Sequence, residues 1–299
     1  MRVSENQRYR QVEGRVERAK NANARSMDDV STLKTIREIS DNPVGMTRVV
    51  RGRDQIATME QHVRNMEMSK GFMQRAEDAL SSLTDNLMRA KDLAVAMSND
   101  TYNASSREAT SREVREIIDE VVLIGNSTYA NRYVFAGFRN STPPLTTDGN
   151  YVGDDGSIFV QVAPGSFRPI NLNARNIFEP SVDERQEGHG NLVHSLQAFY
   201  ESLKDNDRPG IKRALEELDF HMGKTTSFQA SIGGMFNAIS KTQERTEKDV
   251  DFAKGTLSLV EDADAFKATS DFKKTEAMLQ STLLASNKVL QPSLLNFMQ

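Results

Sequence analysis

The chain has 299 residues, enough for about two domains at roughly 150 residues each and for a sizeable buried core. With 38 Lys and Arg against 42 Asp and Glu, its formal net charge of −4 gives no general attraction to nucleic-acid phosphates or to an anionic membrane surface. Cysteine is absent, which excludes disulfides, thiol catalysis and thiolate metal centres together.

The sequence opens on MRVSENQRYRQVEGR, charged throughout and without the apolar stretch of a cleaved secretory signal. Val12, Val16 and Ala19, then Val30, Leu33, Ile36 and Ile39, are spaced as one face of a helix. Arg2, Arg8, Arg10, Arg15, Arg18, Lys20 and Arg25 interleave with Glu5, Glu13 and Glu17, which a solvated helix face or an acidic partner explains about equally well. Further on, Met73, Ala76, Leu80, Leu83, Leu87, Ala90, Ala94 and Met97 step alternately by three and four residues, a heptad seam that Met59, Val63 and Met66 extend upstream. After Asn99-Asp100, Ser105 and Glu108 have the spacing of a capping box. Val114, Ile117, Val121 and Ile124 then carry a second helix, expected to lie antiparallel to the first.

Proline marks the change of character. Five of the eight fall between residues 143 and 180, whereas residues 44–142 and 210–291 have none. Tyr133-Val134-Phe135 and Ile158-Phe159-Val160-Gln161-Val162 are short β-rich runs, with Gly153-Asp154-Asp155-Gly156 as turn chemistry. Residues 136–190 therefore read as a small β-rich surface insert, one in which replacing Asp148 to Glu187 by a Gly/Ser linker should be tolerated. A helix resumes with Leu192, Leu196, Phe199 and Leu203, breaks at Asp207-Arg208-Pro209-Gly210, and gives way to a long one through Ile211, Leu215, Leu218, Met222, Thr225, Ile232, Phe236 and Ile239. Gly233-Gly234 lies inside that seam as a point for thinning or kinking. Val250, Ala253, Leu257 and Val260 continue the pattern, and a last helix from Phe266 to Leu290 follows an interruption near Glu261-Asp262-Ala263-Asp264. Leu283, Leu290, Leu294, Leu295 and Phe297 crowd the end, an apolar terminus that points to a partner.

The expected fold is mainly α: an elongated helical bundle and coiled coil formed by the N- and C-terminal arms, with the small β-rich insert in the middle. Residues 1–42 with 265–299 would make a terminal coiled coil, residues 43–135 with 191–264 a central bundle, and residues 136–190 the insert. The candidate assembly face is Val12, Val16, Ala19, Val30, Leu33, Ile36, Leu283, Leu290, Leu294, Leu295 and Phe297. The candidate intrachain seam is Met73, Leu80, Leu83, Leu87, Met97, Val114, Ile117, Val121, Ile124, Leu215, Leu218, Ile232, Phe236 and Ile239.

No chemistry competes with this reading. The histidines His62, His189, His194 and His221 lack converging partners in sequence, so no metal or cofactor is expected. Phosphate-loop, dinucleotide and nucleophile-elbow motifs are missing, and Asp28-Asp29 and Asp154-Asp155 read as helix-surface and turn residues. An enzyme is not expected. The longest stretch free of charged side chains, Thr225 to Ser240, has 16 residues and is polar, too short to span a bilayer.

Several motifs nonetheless converge. MRVSENQRY, Ser31-Thr32 with Ile36, Ser40-Asp41-Asn42-Pro43-Val44-Gly45, Asn131-Arg132-Tyr133-Val134-Phe135-Ala136-Gly137 with Thr142-Pro143-Pro144-Leu145, Glu261-Asp262-Ala263-Asp264 and Ser293-Leu294-Leu295-Asn296-Phe297 resemble the flagellin-like family, most closely its hook–filament junction members. Two positions depart from the family's pattern. Leu33 stands where a glycine is common, from which a more continuous first helix is expected. Pro292 precedes the terminal Ser-Leu-Leu, from which the last helix is expected to end near Val289 or Leu290.

The resemblance implies export through the flagellar type III channel without signal cleavage, to an extracellular place in the flagellum. It further implies a ring of copies of the chain on hook-associated protein 1, presenting a surface to flagellin, with a flagellar export chaperone as a further partner. It implies an inner coiled coil of terminal helices, an outer bundle, and an insert that projects outward, with neither nucleic acid nor membrane as partner. The filament subunit itself, flagellin, is the alternative.

Overall fold

The computed structural model describes the backbone of residues 2–295 and the side chains of residue 7 and residues 9–288. Along the chain the elements are α1 (Arg2–Thr32), α2 (Pro43–Ser98), α3 (Ala104–Gly125), β1 (Thr128–Tyr129), β2 (Arg132–Tyr133), β3 (Phe159–Ala163), β4 (Ser166–Pro169), α4 (Arg175–Phe178), α5 (Val182–Gln186), α6 (Leu192–Lys204), α7 (Arg208–Glu261) and α8 (Ala265–Leu295). They form two compact units, Met1–Thr58 with Asp249–Gln299 and Met59–Lys248, so that α2 and α7 each contribute to both. The chain is thus mainly α, its long helices forming a bundle and its sheets having two strands each.

In the larger unit the heptad stripe of α2 is the core. Met73, Leu80, Leu83, Leu87 and Met97 are buried, as are Val114, Ile117, Val121 and Ile124 of α3 and Leu218, Ile232 and Ile239 of α7. Leu215 and Phe236 are half-buried and pack against the same cluster. Rim contacts fix the directions. Arg89 of α2 pairs with Glu113 of α3 at 2.6 Å, and Thr110 Oγ1 donates to Met97 Sδ at 3.4 Å, which makes the two helices antiparallel. Lys91 of α2 pairs with Asp219 of α7 at 2.5 Å, while Thr84 Oγ1 donates to Gln229 Oε1 at 3.5 Å. Gly233 and Gly234 do not interrupt α7.

The start of α3 differs from the sequence reading. Asn103, not Ser105, is the N-cap, its Oδ1 accepting from the Ser106 amide at 2.8 Å and the Ser106 hydroxyl at 2.9 Å. Asparagine caps at least as well as serine, and the cap two residues earlier gives α3 room for Arg107 in its first turn.

Arg107 is almost wholly buried, at 1% exposure. Its guanidinium donates to the carbonyls of Met97 and Asn99, each at 2.9 Å, and to Asn206 Oδ1 at 2.6 Å. It thereby stops the C-terminus of α2, where a cation suits the helix dipole, and ties in the turn between α6 and α7. Arg107→Ala is expected to cost about 3 kcal/mol in urea denaturation, since three charge-assisted bonds go and buried carbonyls are left unpaired.

The middle segment carries its strands in one small hairpin and packs against the helices of the larger unit. Within residues 136–190 the only regular strands are β3 and β4, one antiparallel hairpin. Upstream, β1 and β2 form a two-residue hairpin whose central Ala130 and Asn131 both take positive φ, the mirror-image turn that matches strand twist. Leu145, Tyr151, Val162, Ile170, Ile177 and Phe178 join the same buried cluster as the helices. Phe178 lies edge-on to Phe135, centroids 5.9 Å apart, and the Tyr151 hydroxyl donates to the Phe135 carbonyl at 2.7 Å. Asn126 clasps the residue after the double proline, donating to the Leu145 carbonyl and accepting from its amide, both at 3.0 Å. Replacing residues 148–187 by a linker would strip this packing, so a loss of stability in the larger unit is the expected result, to be read in urea denaturation.

Two further expectations fail in the smaller unit. α1 stops at Thr32 rather than running on, because Leu33 itself takes the left-handed conformation, φ 52°, that glycine usually supplies after a helix. α8 continues to Leu295, through Pro292, since a proline removes one ladder bond without obliging the helix to end.

Candidate assembly interface

α1 and α8 pair antiparallel. The half-buried positions of α1 include Val12, Val16, Ala19, Asn23, Ser26 and Val30, and facing them on α8 are Phe272, Thr275, Leu279, Thr282 and Ser286, with Ala268 buried. Both sets step alternately by four and three residues, the period of a coiled-coil seam. Thr275 Oγ1 donates to Asn23 Oδ1 at 3.4 Å across it. About half of the seam is small or polar, so the pair removes little apolar surface from water. A groove of about 690 Å³ runs beside it, lined by Val12, Ala19, Ala22, Met278, Thr282 and Ala285 among others.

At the elbow, residues 33–45 meet residues 261–264. Thr35 N–H donates to the Glu261 carbonyl at 2.8 Å and Ala263 N–H to the Leu33 carbonyl at 2.8 Å, around an antiparallel bridge between Lys34 and Asp262. The Glu261 side chain is buried and bonded by both Lys34 and Arg53. Burial pushes its carboxyl up, but hydrogen bonds from Arg53 and Lys34 outweigh that and hold it below the ordinary glutamate value. Asp264 caps α8, its Oδ1 accepting from Phe266 N–H at 2.8 Å and Lys267 N–H at 3.0 Å. The Asn42-Pro43-Val44-Gly45 run works likewise: Asn42 Oδ1 caps α2 through Gly45 N–H at 2.9 Å. Pro43 takes the first helical position, and a side chain at Gly45 would collide with Ile36, which is buried. Asp41 accepts from the amides of Glu38 and Arg37, both at 3.1 Å, which lowers its pKa.

Because the Glu261 carboxylate titrates lower in the folded chain than in the unfolded one, the stability it contributes is complete above about pH 4.5. It is lost as pH falls through the lowered folded value. Glu261→Gln is expected to cost about 1–2 kcal/mol at pH 7, its partners being partly exposed, and to remove that acid step from the melting profile.

The candidate face splits. Val12, Val16, Ala19 and Val30 lie inside the α1–α8 pair, and Ile36 is buried in the elbow. Leu33 and Leu283 point outward, Leu283 because it sits one position past Thr282 of the seam. Leu290, Leu294 and Leu295 lie where only the backbone is described, and Phe297 lies outside the described residues. Other outward-facing apolar side chains in this unit are Met27, Ile39, Val44, Val50, Phe252, Leu259, Phe266, Met278 and Leu284, with Leu259 and Phe266 each 89% exposed. Most lie off the heptad period, which makes this face a candidate for contact with a partner.

Among the described residues no three His, Cys, Asp or Glu side chains are placed to hold a metal, and no helix is long and apolar enough to cross a membrane. The acid pairs are structural. Asp28 and Asp29 pair with Arg37 at 3.4 and 3.0 Å, Asp155 pairs with Arg175 at 2.9 Å, and Asp154 accepts from the amides of Phe138 at 2.7 Å and Gly156 at 2.8 Å.

The fold is therefore a bundle of long helices with a paired set of terminal helices and uncovered apolar side chains. Residues 3–140, just under half of the chain, match the model of the bacterial flagellin N-terminal helical region, and the chain is similar in sequence and in fold to structural proteins of the flagellum. It is similar to the flagellar filament 31.3 kDa core protein of Treponema maltophilum, 24% identical over 93% of each chain. Flagellar hook-associated protein 3 of Salmonella typhimurium is also 24% identical, over 94% of this chain and 95% of its own. In fold the chain is similar to Bacillus cereus FlgL, with a TM-score of 0.61 and 20% identity over 70% of this chain and 99% of that one.

Proposed function

We propose that the chain is the hook–filament junction subunit, forming a ring at the distal end of the hook that links hook-associated protein 1 to the flagellin filament. It reaches this extracellular position through the flagellar type III channel without signal cleavage, with the help of an export chaperone. The observations that carry the reading are the likeness to hook-associated protein 3 of Salmonella typhimurium over 94% of this chain and the fold likeness to Bacillus cereus FlgL, 99% of which is covered. Terminal helices (1–42 with 265–299) form the assembly domain, residues 43–135 with 191–264 the bundle, and residues 136–190 the insert. Outward apolar side chains of the terminal unit supply the contacts between copies. Neighbours cover them, at about 25 cal/mol per Å² of apolar surface removed from water.

The similarity to a filament core protein supports a second reading, the filament subunit itself. Immunogold labelling of purified flagella separates the two: a single band at the hook end supports the junction, and label along the filament overturns it. Leu283→Asp with Leu284→Asp is expected to leave the monomer's melting unchanged, since both are exposed, while preventing incorporation and releasing flagellin to the medium. Normal filaments from that variant would remove these residues from the interface.

A further inference from the structure

One face of α7, formed by Glu217, Phe220, His221 and Lys224, holds down the segment that returns from the insert to α6, residues 179–190. Lys224 Nζ donates to the Glu179 carbonyl at 3.1 Å and pairs with Glu184 at 2.8 Å. The His189 ring stacks on Phe220 at 3.7 Å, nearly parallel, and its Nδ1 lies 2.9 Å from Glu217 Oε1. Glu217 Oε2 accepts from Gly190 N–H at 3.0 Å and from Ser195 Oγ at 3.2 Å. One carboxylate therefore secures the end of the strap, the start of α6 and a histidine together.

Behind it lies His221, 1% exposed, neither ring nitrogen having a hydrogen-bond partner. Its Nε2 is 3.9 Å from Glu217 Oε2, just beyond hydrogen-bond reach. A buried imidazole with two unpaired nitrogens is tolerated only while neutral, and a proton on it would require the carboxylate next to it. Glu217 would then have to turn from the strap toward His221.

We propose that Glu217 is a two-position switch: paired with His189, Gly190 and Ser195 it closes the 179–190 strap, and paired with protonated His221 in acid it releases it. Burial lowers the His221 pKa to about 4, so the exchange belongs to acid conditions and leaves the strap closed near neutrality. The charged and titratable groups acting on His221 are Glu217 and Lys224 from its own helix and His189 and Glu184 from the strap. Lys224 and His189 oppose its proton, and Glu217 and Glu184 favour it.

Amide hydrogen exchange on the full-length chain at pH 7.5 and pH 4, corrected for intrinsic rates, tests this. Protection of residues 182–190 is expected to fall at least tenfold more than that of α3. His221→Leu should abolish the difference, and Glu217→Gln should leave the strap open at both pH values with α3 still protected. The proposal is overturned if the strap loosens equally in His221→Leu, if its protection rises in acid, or if Glu217→Gln behaves like the parent chain. Should His221→Leu fail to fold, the Glu217→Gln comparison decides alone.

Discussion

Leu83→Ala is expected to lower the stability of the larger unit by about 2–5 kcal/mol, read as a shift of the urea midpoint with little change in slope. Leu83 is fully buried in the middle of the α2 stripe, between Leu80 and Leu87, which are equally buried. Helices of this length cannot slide to fill a hole, because their rims are fixed by pairs such as Arg89 with Glu113 and Lys91 with Asp219. The cost should therefore lie toward the upper part of the range, where the cavity stays open. A change below about 1 kcal/mol would mean that the seam is loosely packed there.

Val16→Asp is expected to have the largest effect on assembly and little on the larger unit. Val16 lies in the α1–α8 seam, where Asn23, Ser26, Thr275, Thr282 and Ser286 already dilute the apolar contact. A carboxylate there has no cation facing it across the seam among Thr275, Leu279, Thr282 and Ser286, so the pair should open. Helices this poor in apolar contact do not persist alone in water. Circular dichroism should show the loss of helix from α1 and α8, two elements of 31 residues each, while the urea transition of the larger unit stays in place. In cells, hooks should form without filaments. Unchanged helicity together with normal motility would refute the seam's role.

The long helices were legible because burial in them follows a strict heptad, and every residue named for the bundle seam from Met73 to Ile239 is buried or half-buried. The two interruptions flanking α7 were legible from turn chemistry only approximately: the first falls at residues 205–207, with Arg208, Pro209 and Gly210 already in the first turn of α7, and the second begins after Glu261, the last residue of α7. Where backbone conformation rather than pattern decided, the sequence misled. Leu33 shows no sign in its residue type that it would take a left-handed φ, because the elbow's backbone bonds to Glu261 and Ala263 impose it. The packing of the middle segment against the helices was not legible because its buried side chains, Tyr151, Val162, Ile170 and Phe178, are widely spaced among Gly, Pro and Asp and follow no period. The outward apolar side chains escaped for the same reason: Phe252, Leu259 and Phe266 lie off the seam that the periodicity detects.

The elbow also has a mechanical meaning. α1 and α8 meet the rest of their unit at one place, where Thr35, Ala263 and the Glu261 carboxylate tie the two inter-helix turns together. A tensile or twisting load entering the terminal pair is divided there between two covalent paths, one leading into α2 and one into α7. The backbone bonds between the turns and the Arg53–Glu261–Lys34 cluster keep those paths abreast, so neither helix takes the strain by itself. Loss of the Glu261 cluster should then show first as fragility under viscous load: filaments that assemble normally in still medium but shear off at lower stirring rates than those of the parent chain.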